Sequence, residues 1–167
     1  MKLSFDFYHR PCLEVARDLV GKVLVCGDKS LRISETEAYV GEGDTACHAH
    51  KGRTKRTEVM YGRAGIAYVY LCYGMHAMLN IVTGQGEHPE AVLIRGVESA
   101  NGPGRATKFM QITTRDNALP LTEEYGIWIE DDGTPPPEYT ALRRVGIDYA
   151  SAEDRNRKWR YIIKERE

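Results

Sequence analysis

The sequence predicts an α+β fold: a single domain over residues 1–167, with a curved, mostly antiparallel β-sheet, a few flanking helices and a protruding β-hairpin. Three observations predict it. The chain has 167 residues, of which 42% are apolar and 28% charged, and this suits one domain with one hydrophobic core. Short β-prone segments follow one another across short turns, which favours antiparallel neighbours. Neither an internal repeat nor a linker divides the sequence.

The first part of the chain predicts one helix and two strands. Residues 11–20 are expected to form the helix, because a proline stands at its start, apolar residues share one face and Gly21 follows as a stop. Strands are expected at 22–26 and 31–40. The next segment, 41–65, is polar and rich in Gly, Thr and basic residues, and a loop of that length in a compact domain is usually functional or disordered.

The rest of the chain adds a hairpin, further strands and a second helix. The β-prone segments on either side of Tyr73-Gly74 predict the hairpin, and a turn is expected at 84–89. A Gly-rich segment, Asn101-Gly102-Pro103-Gly104, introduces the helix. The elements are predicted at these positions: strands at 67–72, 75–82, 91–97, 127–129 and 159–163, and the helix at 105–112.

The charge distribution favours a phosphate-binding face. The net charge is only −1, but five basic residues and one acid lie between positions 51 and 63, and the C-terminal segment 155–166 is also basic. A basic face on a nearly neutral protein can bind phosphates, because binding depends on the local electrostatic field and not on the net charge. The alternative is that these charges belong to a set of solvated loops.

The composition excludes a membrane span and disfavours a metal site. No apolar run approaches the roughly 20 residues that a span needs, and the N-terminus carries no signal core. We therefore expect an intracellular protein.

The four cysteines include no CxxC pair and are expected to be thiols. Cys47-His48-Ala49-His50 lacks the four ligands of a zinc site, so we expect no metal and no cofactor. No exposed apolar stripe suggests a subunit interface, so a monomer is expected.

Glu37 and Tyr39 are the first candidates for chemistry. Residues two apart on a strand share a face and lie roughly 7 Å apart, so this carboxylate and this ring would face one pocket. The ring could stack on a flat substrate while the carboxylate handles a water molecule. Two alternatives stay open: Glu35 and Glu37 could form a carboxylate pair, or the motif could belong to an exposed strand face.

The Tyr-rich hairpin is the second candidate. Tyr73, beside a glycine at the expected tip and near Met75, is suited to insertion into a base stack. Tyr68 and Tyr70 share one face, and each alone is more simply explained as an ordinary strand residue. The Gly-rich segment before the second helix could bind phosphate through backbone amides and Arg105, or be an ordinary capped turn.

Taken together, these segments resemble the alkyladenine (3-methyladenine, methylpurine) DNA glycosylases. The resemblance covers most of the chain in the right order, and the combination of motifs is specific although each motif alone is not. The motifs are Phe7-Tyr8-His9-Arg10-Pro11, Glu-Thr-Glu-Ala-Tyr at 35–39, His48, Tyr-Val-Tyr-Leu-Cys-Tyr-Gly-Met at 68–75, Asn80, Ala-Val-Leu-Ile-Arg at 91–95, Asn-Gly-Pro-Gly at 101–104 and Arg-Val-Gly-Ile at 144–147. One departure is the short connection between Arg95 and Asn101, where members of the family usually carry a longer, helical insertion.

The resemblance implies a role for each pocket residue. Glu37 matches the general base that activates the attacking water. Arg95 and the main chain at Val145 match groups that help to position this water. The walls that sandwich and hydrogen-bond a flipped base match Tyr39, His48 and Tyr70. The side chain that crowds the exocyclic amino group of guanine matches Asn80.

The resemblance also implies a DNA-binding surface. Tyr73 matches the side chain that fills the gap left in the duplex, with Met75 and His76 beside it. Phosphate contact is implied for four polar or basic residues: Arg53, Thr54, Arg56 and Arg105.

The activity that the resemblance implies is that of a monofunctional DNA glycosylase. Such an enzyme flips an alkylated or deaminated purine out of double-stranded DNA and hydrolyses its N-glycosidic bond in base excision repair. Its expected location is therefore cytoplasmic and nucleoid-associated in a prokaryote or nuclear in a eukaryote. A cationic alkylated purine is a good leaving group, and stacking it between tyrosines adds about 0.5–2 kcal/mol of cation–π attraction. Two other classes stay open: a nucleic-acid-binding module without catalysis, and a hydrolase of free nucleosides.

Overall fold

The computed structural model describes residues 1–84 and 88–164 and places its strands in one antiparallel sheet. Part of the turn expected at 84–89 and the last residues of the basic C-terminal segment lie outside the described residues. Among the described residues, no helix is long and apolar enough to span a membrane. The strands are β1 (Val23–Cys26), β2 (Lys29–Val40), β3 (Ala67–Cys72), β4 (His76–Val82), β5 (Glu90–Val97), β6 (Ala100–Asn101), β7 (Ile127–Glu130), β8 (Tyr139–Leu142) and β9 (Arg160–Ile163). The helices are α1 (Phe5–Tyr8), α2 (Cys12–Leu19), α3 (Pro103–Met110) and α4 (Ala152–Asn156).

The expected fold class is confirmed: an α+β domain with a curled antiparallel sheet. Its strand order is β3-β4-β5-β2-β1-β7, with β6 beside β5, and β9 and β8 following on the free side of β2. Boundaries of the expected helices and strands differ from the observed ones by at most two residues. The second helix begins at Pro103, because proline is favoured in the first turn, and ends where Gln111 adopts a left-handed φ of 59°. The sequence did not predict the four short elements α1, β6, β8 and α4.

The two faces of the sheet meet different environments, because side chains alternate along a strand. One set from β4 and β5 packs with α2 and α3 in the main hydrophobic core: Leu79, Ile81, Val92 and Ile94. The alternate set includes Asn80, Leu93 and Arg95, and it lines a cavity. The helices therefore cover one face and leave the other open for a site.

Strand β2 bends in the middle of the sheet. Its first part pairs with β1, and its second part pairs with β5 on one side and β9 on the other. The register between β2 and β5 shifts on both sides of Glu35, and the second shift leaves Arg95 without a partner residue in β2. Bulges re-aim side chains and are frequent beside active sites. Here Arg95 comes within ion-pair distance of both Glu35 and Glu37.

The short connection between Arg95 and Asn101 is a tight turn. Val97 pairs with Ala100 across it, and Ser99 has a positive φ of 70°. The chain thus turns directly from β5 into β6 where the resembling family usually carries an insertion.

The segment at 41–65 is ordered by three 3₁₀ helices: Gly41–Gly43, His48–Lys51 and Thr57–Tyr61. Asp44 in this loop accepts two hydrogen bonds from the guanidinium of Arg144, at 2.5 and 3.0 Å, and both residues are buried. This ion pair ties the loop to the segment that follows β8. Both segments reach the edge of the cavity.

Candidate active site

A cavity of about 540 Å³ opens on the face of the sheet that the helices leave uncovered. Its volume lies within the roughly 300–1,000 Å³ of small-molecule and cofactor sites. The structure brings nine predicted site residues to this cavity: Glu37, Tyr39, His48, Arg56, Tyr70, Tyr73, Asn80, Arg95 and Val145. The other predicted residues do not line it: Arg53, Thr54, Met75, His76 and Arg105.

Glu37 lies in the cavity wall and is 0% exposed. Its Oε2 accepts a hydrogen bond from the backbone N–H of Val145 at 2.7 Å. Its Oε1 accepts one from the hydroxyl of Tyr39 at 3.0 Å. The Nη1 of Arg95 lies 3.6 Å from the same Oε1. The main chain at Val145, which the resemblance associates with the water, therefore donates to the carboxylate itself.

The environment makes Glu37 more basic than an ordinary carboxylate. Burial raises its pKa above 4.5, because a buried site disfavours the charged form. The charge of Arg95 and the hydrogen bonds from Val145 and Tyr39 offset part of this effect. A carboxylate with a raised pKa accepts a proton more readily, which suits a general base.

Aromatic rings form a second wall of the cavity. The ring centroids of His48 and Tyr70 lie 4.5 Å apart, and those of Tyr68 and Tyr70 lie 5.3 Å apart. His48 Nδ1 is 3.2 Å from the hydroxyl of Tyr68. Burial, assisted by the charge of Arg56, lowers the pKa of His48 to about 4, so its ring is neutral at pH 7. The wall presents flat, uncharged groups to a ligand.

A row of three residues crosses the cavity on neighbouring strands. Asn80 of β4 pairs with Leu93 of β5, and Leu93 pairs with Glu37 of β2. The amide Nδ2 of Asn80 donates to the carbonyl oxygens of Tyr68 at 3.2 Å and Met78 at 3.4 Å. These bonds fix the position of the Asn80 side chain in the cavity wall.

The hairpin of β3 and β4 projects beside the cavity mouth. Tyr73 is 91% exposed and Met75 71%, both unusual for large apolar side chains. Tyr73 and Gly74 have φ values of 52° and 69°, and Met75 N–H donates to the Cys72 carbonyl, as in a type I′ turn. The tight turn holds Tyr73 outward at the tip.

The four residues expected to contact phosphates have different environments. The guanidinium of Arg53 makes two hydrogen bonds to Glu58, each of 2.6 Å, so its charge is partly neutralised. The guanidinium carbon of Arg56 lies 5.1 Å from the ring centroid of Tyr70, at the cavity. Arg105 is exposed in the first turn of α3, and Thr54 Oγ1 accepts a hydrogen bond from the backbone N–H of Thr57 at 3.2 Å.

Comparison with known proteins places this site in a family. The family model for methylpurine-DNA glycosylase matches residues 6–167. The chain belongs to this family. A relative from Methanocella arvoryzae is 45% identical and covers 97% of this chain and 92% of its own length. One from Sodalis glossinidius is 45% identical over 95% of both chains, and one from Myxococcus xanthus is 47% identical over 89% of this chain and 83% of its own. All three are provisionally named 3-methyladenine DNA glycosylases.

Membership of the methylpurine-DNA glycosylase family makes this protein a hydrolase of N-glycosyl bonds with a DNA substrate.

Among residues 1–84 and 88–164, no group of three His, Cys, Asp or Glu side chains is placed to hold a metal ion. Burial raises the pKa of the Cys47 thiol to about 12, which keeps it protonated. His50 Nδ1 lies 2.9 Å from the carbonyl oxygen of Glu42.

Two side chains at the candidate site were not singled out from the sequence. Arg144 lies behind Tyr39, with its guanidinium carbon 5.1 Å from the ring centroid, and directly precedes Val145. Tyr149 lines the mouth, and its hydroxyl donates to the Ala46 carbonyl at 2.8 Å. Arg144 stands in the Arg-Val-Gly-Ile motif, which was the one available signal. Its position beside Tyr39 became visible only in the structure.

Proposed function

We propose that this enzyme flips alkylated or deaminated purines out of double-stranded DNA and hydrolyses their N-glycosidic bonds with Glu37 as general base. The observation that carries the proposal is a buried carboxylate of raised pKa in a cavity walled by neutral aromatic rings. The exposed tip of a rigid hairpin lies beside that cavity. The enzyme acts as a monomer and without a metal in this proposal.

The proposed reaction uses one water molecule and one carboxylate. The bond between C1′ of the deoxyribose and the purine nitrogen breaks, and its electron pair goes to the purine. The water oxygen forms the new bond to C1′, and Glu37 takes one of the water protons. The negative charge of Glu37 also stabilises the oxocarbenium character of the sugar in the transition state.

The aromatic walls favour a cationic base. Stacking on Tyr39 and Tyr70 adds about 0.5–2 kcal/mol for an alkylated, positively charged purine and nothing comparable for a normal one. Because His48 is neutral at pH 7, it does not repel such a base. An alkylated purine leaves as a neutral molecule, whereas a deaminated purine leaves as an anion unless it is protonated. Alkylated purines are therefore released faster in this proposal.

The deciding experiment measures free bases released from methylated duplex DNA. Purified protein is incubated with the duplex, and the released bases are separated by chromatography. Release of methylpurines supports the proposal. Binding without release indicates a nucleic-acid-binding module, and release from free nucleosides but not from duplex DNA indicates a nucleoside hydrolase. Either result overturns the proposal.

Tyr73→Ser should shift the flipping equilibrium back toward the stacked state. Flipping costs a few kcal/mol of stacking and pairing, and a side chain that fills the vacated space offsets part of this. A fluorescent purine analogue in the duplex reports the flipped fraction directly. The loss should shrink when the target base is mispaired, because less flipping energy is then needed. Normal flipping with slow hydrolysis would assign Tyr73 to the chemistry instead.

Arg105→Ala should weaken binding to damaged and undamaged duplexes about equally and lower the salt slope of binding by about one. Contact with a phosphate is independent of the base sequence, and each neutralised phosphate releases counterions. Binding is measured by fluorescence anisotropy from low to high salt. The control is Arg10→Ala. Arg10 pairs at 2.9 Å with Asp18 of α2, the helix that covers the face of the sheet opposite the cavity, so its loss should not change DNA binding. An unchanged slope for Arg105→Ala contradicts the prediction.

A further inference from the structure

A ladder of alternating charges crosses three strands next to the proposed base. Arg160 of β9 lies 3.0 Å from Glu35 of β2, measured from Nη1 to Oε1. The same Oε1 lies 3.4 Å from Nε of Arg95 on β5. The other end of Arg95, Nη1, lies 3.6 Å from Glu37 Oε1. One guanidinium is thus shared by two carboxylates.

The contact between Arg95 and Glu37 is longer than a normal ion-paired hydrogen bond. Arginine and carboxylate groups usually pair through two parallel bonds of about 2.7–2.9 Å. At 3.6 Å the Arg95 guanidinium is near Glu37 without closing on it. Glu35, with a side chain only 11% exposed, lies 3.4 Å from Nε of the same guanidinium, so Arg95 lies between the two carboxylates without a short bond to either.

Arg160 holds Glu35 in place from the opposite side. Its Nε donates to the carbonyl oxygen of Arg143 at 2.7 Å, which fixes the guanidinium beside Glu35. Its side chain is 20% exposed, so the pair is only partly screened by solvent. The bulge in β5 makes this arrangement possible, because it re-aims Arg95 toward both carboxylates.

We propose that Glu35 is a positioning residue, which holds Arg95 between two carboxylates so that the guanidinium does not close on Glu37. Arg95 then stays free to orient the water or the substrate, while Glu37 keeps its capacity to accept a proton. This role rests on the proposed function of Glu37 as general base. Without Glu35, Arg95 would pair with Glu37 alone and favour its charged form.

Other groups also face Glu37 and stay constant in the test. The Tyr39 hydroxyl and the Val145 N–H donate to its two oxygens. The Arg144 guanidinium and the Tyr149 phenol also act on Glu37 electrostatically. None of these groups hydrogen-bonds to Glu35 among the contacts of the described residues, so a change at Glu35 reaches Glu37 through Arg95 and through the loss of its own charge.

The test compares two variants with opposite expected effects. In Glu35→Gln, Arg95 turns to Glu37, and the acid limb of the single-turnover excision profile should move to lower pH. The plateau rate should fall about tenfold, a fraction of the loss that removal of a general base causes. In Arg160→Gln, Glu35 draws Arg95 toward itself, and the acid limb should move to higher pH. Glu98→Gln removes one exposed acid that directly follows β5 and should move neither the acid limb nor the plateau rate.

A readout without activity separates this inference from the proposed function. Protein labelled with ¹³C at glutamate carboxyls is titrated by NMR, and Glu37 is assigned by the signal missing in Glu37→Gln. The Glu37 midpoint should fall in Glu35→Gln and rise in Arg160→Gln, with native circular dichroism in both. Unchanged midpoints overturn the positioning role even if excision occurs. Each shift should be larger when Arg95 is present than in an Arg95→Gln background, where only the lost charge of Glu35 or Arg160 acts on Glu37. Shifts of equal size in the two backgrounds also overturn the positioning role. If Glu35→Gln does not fold, this comparison for Arg160→Gln decides the question. Absence of excision by the unmodified enzyme overturns the proposed function but not the titration result.

Discussion

Glu37→Gln is expected to lower single-turnover excision of methylpurines by about 10²–10⁴-fold while DNA binding is retained. The amide has the shape of the carboxyl group but cannot accept a proton from water, and it lacks the charge that stabilises an oxocarbenium sugar. The Tyr39 hydroxyl can still donate to the amide oxygen, which limits rearrangement of the pocket. The rate is measured with enzyme in excess over a methylated duplex, so that product release does not hide the chemical step.

The control and the pH dependence make the Glu37 prediction specific. Glu98→Gln, which removes an exposed acid that directly follows β5 and pairs with Arg32, should excise at the normal rate. In the unmodified enzyme, excision should fall as the pH is lowered through a value above 4.5, because burial raises the Glu37 pKa and only the ionised form is a base. Excision by Glu37→Gln within a few-fold of normal contradicts the assignment.

The same burial has a consequence for stability. A carboxyl group whose pKa is raised on folding binds its proton more tightly in the folded state. Its contribution to the free energy of unfolding is therefore greatest below the unfolded pKa and declines as the pH rises through the folded one. Removal of the Glu37 charge should leave the protein at least as stable at pH 7. A less stable Glu37→Gln protein would indicate that its bonds to Val145 and Tyr39 outweigh the burial of the charge.

Strand alternation explains how much of the site could be predicted from the sequence. Glu35, Glu37 and Tyr39 were expected on one face of one strand. The structure places Glu37 and Tyr39 in the cavity wall, and Glu35 within ion-pair distance of Arg95, which also lines the cavity. Tyr68 was interpreted as an ordinary strand residue, yet it lies in the aromatic wall with Tyr70. A single strand shows which residues share a face but not which face meets the core.

Contacts between distant segments could not be predicted. Asp44 and Arg144 are 100 positions apart, and no local pattern relates them. The bulge that aims Arg95 at Glu35 depends on the register between two strands, which the sequence of neither one specifies. Strand β8 follows a proline-rich loop and pairs with β9 alone, so its alignment there comes from tertiary structure.

Asp44→Asn is expected to lower the free energy of unfolding by about 3–5 kcal/mol, the usual cost of leaving one partner of a buried ion pair uncompensated. Arg144 would keep its charge in a buried site without a carboxylate, and its acceptors would be the carbonyl oxygens of Ala38 and Asp154 and the one oxygen of the introduced amide. Asp44 also accepts from the backbone N–H groups of Val40 and Ala46, each at 3.0 Å and each on a different oxygen, so the 41–65 loop would lose one of these two bonds.

Urea unfolding at pH 7 measures this loss, and an exposed ion pair provides the matched control. Arg53 and Glu58 make two short hydrogen bonds, but more than half of each side chain is exposed to solvent. Glu58→Gln should therefore leave the urea midpoint nearly unchanged, because exposed pairs are screened and entropically costly. Asp44→Asn should lower the midpoint strongly and also slow excision, since Arg144 lies against Tyr39 and precedes the Val145 N–H that binds Glu37. Equal midpoints for the two variants would show that burial does not make the Asp44–Arg144 pair a stronger support than a surface pair.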